Sequence, residues 1–224
     1  MKANIPDRAK PNRANRFLEV NGTYIAACEL KRRAGVLLRR RLLGRKLGCP
    51  DIVLGPRCFL RGLSRISIGK NFQAAEGLWL EAITHCGGQQ FSPRILIGEN
   101  VSVSRWSHIG ATNSVQIGDG VLIGSKVLIT DHSHGQYHLS PSSSPLIRPV
   151  LRPLTSDREV IIGRNVWIGD GVVVGPGSTI GEGAVIGANA VVSGSIPEFT
   201  IAVGVPARPL KHYSFESDEW IDQQ

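Results

Sequence analysis

Nothing in the 224 residues approaches the roughly 20 consecutive apolar positions that a membrane-spanning helix needs, so no such span is expected. Cysteine is scarce: the four thiols, Cys28, Cys49, Cys58 and Cys86, form no CxxC pair, which leaves no thiol-based metal knuckle and no redox motif. No basic n-region, apolar h-region and small-residue cleavage pattern opens the chain, and free, reduced thiols in a cytoplasmic setting are the expectation. Excess charge is also missing from most of the chain. Residues 51–224 hold 13 Lys and Arg against 15 Asp and Glu, whereas residues 1–50 hold 13 against 3, so the whole net charge of +8 is N-terminal. With no basic stripe interleaved with aromatics over the body, nucleic acid is not an expected partner.

What the chain does have is a period. From Ile162 it reads IGRNVW, IGDGVV, VGPGST, IGEGAV, IGANAV, VSGSIP, with an aliphatic residue opening every block and glycine second in all but the last. Helices and strands repeat their faces at about 3.6 and 2 residues, so a period of six belongs to neither alone. It describes a short strand plus a turn, three of which close a triangular coil, and a fixed short period means a solenoid. The expected fold is mainly β: a left-handed parallel β-helix with the aliphatic residue and the small fifth residue inside. Glycine takes the corners where the backbone is left-handed or crowded.

The period continues upstream through Ile97, Val103 and Ile109 and through Ile117, Ile123 and Ile129, with a step of eight between Ile109 and Ile117 that adds two residues. Ile68-Gly69 and Leu54-Gly55 read as degraded first coils. The large fault is 130–161, whose prolines at 141, 145, 149 and 153 cannot continue a ladder, so it leaves the prism as a loop. The resulting division is a basic, partly helical segment over 1–50, a β-helix over 51–197 and a C-terminal cap over 198–224. Within 24–48, Leu30, Ala34, Leu37, Leu38, Leu42 and Leu43 make an apolar stripe opposite Arg and Lys. This segment has two readings, a solvated helix capping the first coil or peripheral attachment to the anionic inner face of a membrane.

Chemistry is expected where the ladder gives way to the loop, at ITDHSHGQYH, which gathers Asp131, His132, His134 and His138. Histidine is the side chain best suited to accept a proton near neutral pH. A partner for the second ring nitrogen of His132 is open between Asp131, Glu159 and a main-chain carbonyl. Asn71, His85, Trp106, His108 and Asn113 are unranked candidates to face an acceptor.

The run from Ile162 to Tyr213, with ITDHSHG ahead of it, resembles the hexapeptide-repeat acetyltransferases. The likeness is to the galactoside and maltose O-acetyltransferase branch, and closer still to the O-acetyltransferases of bacterial surface-polysaccharide synthesis. It spans residues 95–213 and is thin before residue 50. The resemblance implies a homotrimer that moves an acetyl group from acetyl-CoA to a sugar hydroxyl, with His132 as general base and no metal. It places Trp167 close to that histidine, with Asp131 and His134 in the substrate pocket, and carries the acetyl-CoA groove onto Asp170, Ala188, Ser193, Arg208 and Lys211. Gly194 departs from the pattern, standing where relatives often have lysine. The implied acceptor is a free sugar or one carried on a lipid or nucleotide. Two rival readings share the prism: a γ-class carbonic anhydrase, whose H-x4-H spacing His134 and His138 miss by one residue, and a scaffold without catalysis.

Overall fold

The six-residue period becomes three flat faces. A computed structural model describes residues 23, 28, 41–137, 142–155 and 157–223. Strands Val53–Leu54, Phe59–Arg61 and Ile66–Ile68 lie on the first, second and third face in turn, and each later coil repeats that order. Five further coils follow, down to Val185–Ile186, Val191–Val192 and Ser195–Ile196, and Thr200–Val203 opens a seventh on the first face. Pairing between coils is parallel on all three faces, as the left-handed β-helix requires.

Inside the prism the aliphatic position of each block is sealed: Ile162, Ile168, Val174, Ile180, Ile186 and Val192 are all at most 2 % exposed. Burying each such side chain contributes about 1.5–3 kcal/mol, and the stack forms one continuous cluster. The glycines and the left-handed corners turn out to be different positions. Gly169, second in its block, is crowded: a Cβ there would sit 2.7 Å from the backbone nitrogen of Ala188 on the next coil. The left-handed backbone falls two residues later, at Gly171 with φ 70° and, in the preceding block, at Asn165 with φ 56°. Asparagine tolerates that conformation, which explains why the fourth position of the first five of these blocks is either Gly or Asn.

Corner aspartates lock coil to coil. Asp119 Oδ1 accepts the Glu99 amide at 2.8 Å and Asp170 Oδ1 accepts that of Ser125 at 2.6 Å, each a coil away. At the N-terminal end residues 41–47 are helical, and Leu47 and Cys49 join the core with Leu43 packed against it. Most of the basic segment anticipated as helix or membrane contact lies outside the described residues. After the seventh coil begins, Arg208–Ser214 and Glu219–Asp222 add to the first face in antiparallel fashion.

The faults in the period share one edge. Residues 83–93, the two extra residues Thr112 and Asn113, and the long segment after Thr130 all leave the prism at the corner between second and third faces. Gln89 bridges two of these excursions, donating to the Leu154 carbonyl at 3.2 Å and accepting the Leu154 amide at 2.7 Å. The long segment is pinned at its neck by an antiparallel pair, Ser133–His134 with Leu154–Thr155. It returns to the third face at Val160–Ile162.

Candidate active site

Strand alternation decides where Asp131 and His132 point. Ile129 faces inward, Thr130 outward, Asp131 inward and His132 outward, so the carboxylate is driven into the prism and the imidazole stays at its surface. Asp131 is 0 % exposed. A buried carboxylate must be paired and hydrogen-bonded, and the extra residues of the preceding coil meet that demand. The Thr112 amide donates to Oδ1 at 2.9 Å, the Thr112 hydroxyl to Oδ1 at 3.2 Å, and the Asn113 amide to Oδ2 at 2.7 Å. Burial on its own would raise the Asp131 carboxyl, but the bonds from His132 and from the two amides outweigh it and hold the group below the usual carboxylate range.

Asp131 Oδ1 lies 2.9 Å from His132 Nδ1, and the Thr130 hydroxyl lies 3.0 Å from the same nitrogen. An ionised carboxylate can only accept, so Nδ1 carries a proton, and in the neutral ring the lone pair is then on Nε2. A neutral imidazole with a fixed tautomer, backed by a buried carboxylate, is the arrangement of a general base. Of the three orienting partners considered from sequence, Asp131 is the one in place. The Glu159 carboxylate instead accepts from Gln116 Nε2 at 3.2 Å. Asp131 was expected in the substrate pocket, but it is sealed inside the prism and lies behind His132.

A family model described as bacterial transferase hexapeptide, six repeats, matches residues 159–194. WbbJ of Escherichia coli K12, which carries the name of a lipopolysaccharide biosynthesis O-acetyl transferase, is 46 % identical over 164 residues, 73 % of this chain and 80 % of that one. The chain belongs to the hexapeptide-repeat acyltransferases. Among solved structures of the family, galactoside acetyltransferase in complex with coenzyme A is 25 % identical with a TM-score of 0.51, over 83 % of this chain and 74 % of that one. A hexapeptide-repeat acetyltransferase from Vibrio cholerae complexed with acetyl-CoA is also 25 % identical with a TM-score of 0.50, over 90 % of this chain and 85 % of that one.

Within a single chain of this acyltransferase the remaining anticipated residues fall into separate places. Trp167 stands half-exposed on the first face, in register with Leu122 and Val185. That face lies across the triangle from the corner bearing His132, so one chain does not bring the two side chains together. Trp167, Asp170 and Ala188 instead line one groove of about 290 Å³ with Gly169, Val185, Ile186 and Gly187. Ser193 and Gly194 sit at the His132 corner two coils further on, where a side chain built onto Gly194 would meet nothing within 4 Å. Arg208 is exposed on the strand added to the first face, donating to its neighbour's carbonyl, and Lys211 pairs with Asp222 at 3.0 Å. His134 is exposed at the neck of the loop, and His138 lies outside the described residues. Among the described residues no three His, Cys, Asp or Glu side chains converge as metal ligands would.

Of the unranked candidates, Asn71 bonds Asn100 at a remote corner and His85 bonds its neighbour Thr84. Trp106 lies at the first-to-second-face corner, under Arg57. Asn113 contributes its amide to Asp131. His108 stands beside His132 on the second face, its ring stacked on Trp79 with centroids 4.3 Å apart. Glu81, a buried carboxylate next to His108, was missed from sequence, although aligning LEA, IGA and ITD at their inward Leu80, Ile109 and Ile129 places it on the same outward column as Thr130.

Proposed function

We propose that this chain transfers the acetyl group of acetyl-CoA directly to a sugar hydroxyl, with His132 as the general base, in the assembly of a bacterial surface polysaccharide. The observation that carries the reading is the Asp131–His132 pair at the root of the loop, with the carboxylate buried, Nδ1 occupied and Nε2 free. His132 Nε2 takes the proton of the acceptor hydroxyl as that oxygen attacks the thioester carbonyl carbon. The tetrahedral oxyanion is held by a main-chain N–H. The C–S bond then breaks, and the imidazolium returns its proton to the departing sulfur, giving the acetyl ester and free coenzyme A thiol. The transfer is direct, without an acyl-enzyme: among the described residues no serine or cysteine is paired with His132 as a nucleophile. The names of WbbJ and of the galactoside enzyme support a carbohydrate acceptor, and the coenzyme complexes of the relatives support acetyl-CoA as donor.

The division of the anticipated residues between two places supports a shared site. The base lies at one corner and the Trp167–Asp170–Ala188 groove on a different face, so the His132 corner of one copy and the groove of another complete each other in a homotrimer. Apolar side chains exposed on two faces, among them Leu122 and Trp167 on the first and Phe59 and Trp79 on the second, give such copies surface to bury. The deciding experiment is mass-spectrometric detection of an acetylated sugar with stoichiometric thiol release from acetyl-CoA. Thiol release at equal rates with and without sugars present overturns the reading.

A further inference from the structure

Three residues of the second face stand in one outward column: Glu81 is in register with Gly110, and Gly110 with Thr130. The middle member has no side chain. A Cβ on Gly110 would lie 3.2 Å from His108 Nε2, closer than side chains ordinarily stand, and 3.6 Å from His132 Cε1, so only a glycine lets both imidazoles close over this position. The Glu81 side chain is 10 % exposed, with Oε1 3.5 Å from His108 Nε2. That distance is too long for an ordinary hydrogen bond, and His108 Nε2, shielded from solvent, has no hydrogen-bond partner. A buried polar nitrogen without a partner calls for an explanation. The stack on Trp79 fixes the ring in place. Burial lowers the pKa of the His108 imidazole against the pull of Glu81, leaving a neutral ring with a single N–H.

We propose that Glu81 and His108 form a second hydroxyl-binding subsite, which takes the acceptor hydroxyl next to the one His132 deprotonates. The inference rests on the acetyl-transfer reading above. A hydroxyl oxygen at ordinary hydrogen-bond distance from both atoms gives its proton to the Glu81 carboxylate and accepts the N–H of His108 Nε2. That paired demand is specific to an alcohol. A carbonyl oxygen would face the carboxylate with no proton to give, and an ammonium would have no lone pair for His108. With both imidazoles against the same Gly110, the acceptor that fits carries two hydroxyls on neighbouring ring carbons. Glu81 and His108 are therefore positioning and specificity residues, and proton transfer stays with His132.

The test is a panel of methyl hexopyranosides and their monodeoxy analogues, assayed by thiol release with the acetylated position read by NMR. For the wild type, removing the hydroxyl beside the acetylated one should lower kcat/KM by about 10- to 100-fold, as expected for a lost hydrogen bond to a charged group. In His108→Phe, which keeps the stack on Trp79, and in Glu81→Gln, parent and deoxy sugars should converge. The KM for acetyl-CoA should stay within about twofold. Gly110→Ala sets a methyl group against His108 Nε2 without changing the chemistry of either group and should abolish the discrimination too, which covers the case of a variant that fails to fold. Transfer with an undiminished parent-to-deoxy ratio in all three variants overturns this inference alone. No transfer to any sugar in the panel overturns the acetyl-transfer reading and this inference with it.

Discussion

Asp131→Asn removes one charge and almost no volume, and its effects separate a catalytic device from a folding device. In the wild type Oδ1 accepts from His132 Nδ1 and from the Thr112 amide and hydroxyl, while Oδ2 accepts the Asn113 amide. Asparagine offers one oxygen and one NH₂. If its oxygen takes the Oδ1 place, the NH₂ meets the Asn113 amide donor to donor. If the group is turned over, the NH₂ meets the Thr112 amide and forces His132 Nδ1 to become an acceptor. The second arrangement moves the ring proton to Nε2 and removes the base's lone pair from the acceptor. One unsatisfied buried amide costs about 1–3 kcal/mol. For a chain of this size each kcal/mol lowers Tm by about 2–4 °C. Loss of a competent base costs about 10² to 10⁴ in rate.

The expected outcome is therefore a folded variant, several degrees less stable, whose kcat falls by at least about 10²-fold. Thiol release measures the rate and thermal denaturation the stability. The pH dependence adds a check. The Asp131 carboxyl is held below its unfolded value, so its contribution to stability is present above that value, about 3.9, and is lost as pH falls through the lower folded one. The Tm gap between wild type and variant should hold from pH 8 to about pH 5 and close only in stronger acid. A variant that loses stability as described yet keeps kcat within about threefold would show Asp131 to be a corner lock like Asp119 and Asp170, and the reasoning about the tautomer would be wrong.

Three further outcomes are expected. His132→Ala should lower transfer by about 10² to 10⁴ with both KM values roughly preserved, and His134→Ala, which alters an exposed loop side chain, by far less; equal losses would refute a single base. Arg208→Ala should raise the KM for acetyl-CoA with kcat within a few-fold, while Gly194→Lys, placing a cation where space is open, should lower it; no change in either would return the C-terminal segment to a purely structural role. Light scattering should report about three times 24.2 kDa, and a monomer at micromolar concentration would remove the shared site.

Legibility from sequence tracked the solenoid's own regularity. Every inward aliphatic from Ile162 to Val192 was readable, because each block faces the same environment as the blocks before and after it, and a repeated environment selects a repeated residue. The failure of repetition after Ile129 pointed to the group Asp131, His132, His134 and His138, and only the resemblance to the acetyltransferases singled out His132 among them. What stayed illegible depended on contacts between coils, which no single block contains. The step of eight after Ile109 was visible only as a fault. In three dimensions its two extra residues, Thr112 and Asn113, are the cradle that lets a carboxylate exist inside an aliphatic prism. Asp131 looked like a pocket residue because its inward direction follows from counting along Ile129, Thr130 and Asp131, not from residue type.

The same logic accounts for where the chemistry sits. A regular coil can offer only what every other coil offers, an aliphatic interior and small corners. A site needs residues that differ from their neighbours on the stack, and an irregularity on one coil disturbs the coils above and below it unless they are irregular at the same corner. The excursion at 83–93, the Thr112–Asn113 insertion and the long loop after Thr130 therefore fall in line at one edge. Each supports the next: Gln89 holds Leu154 of the loop, and Thr112 and Asn113 hold Asp131 at its root. Between them, Gly110 and Glu81 belong to strands that keep the period, so their inward neighbours Ile109 and Leu80 hold them rigidly while their outward positions are free to vary. The proposed base stands on the fault and its proposed specificity residues on the regular ladder beside it, both built from the same six-residue repeat.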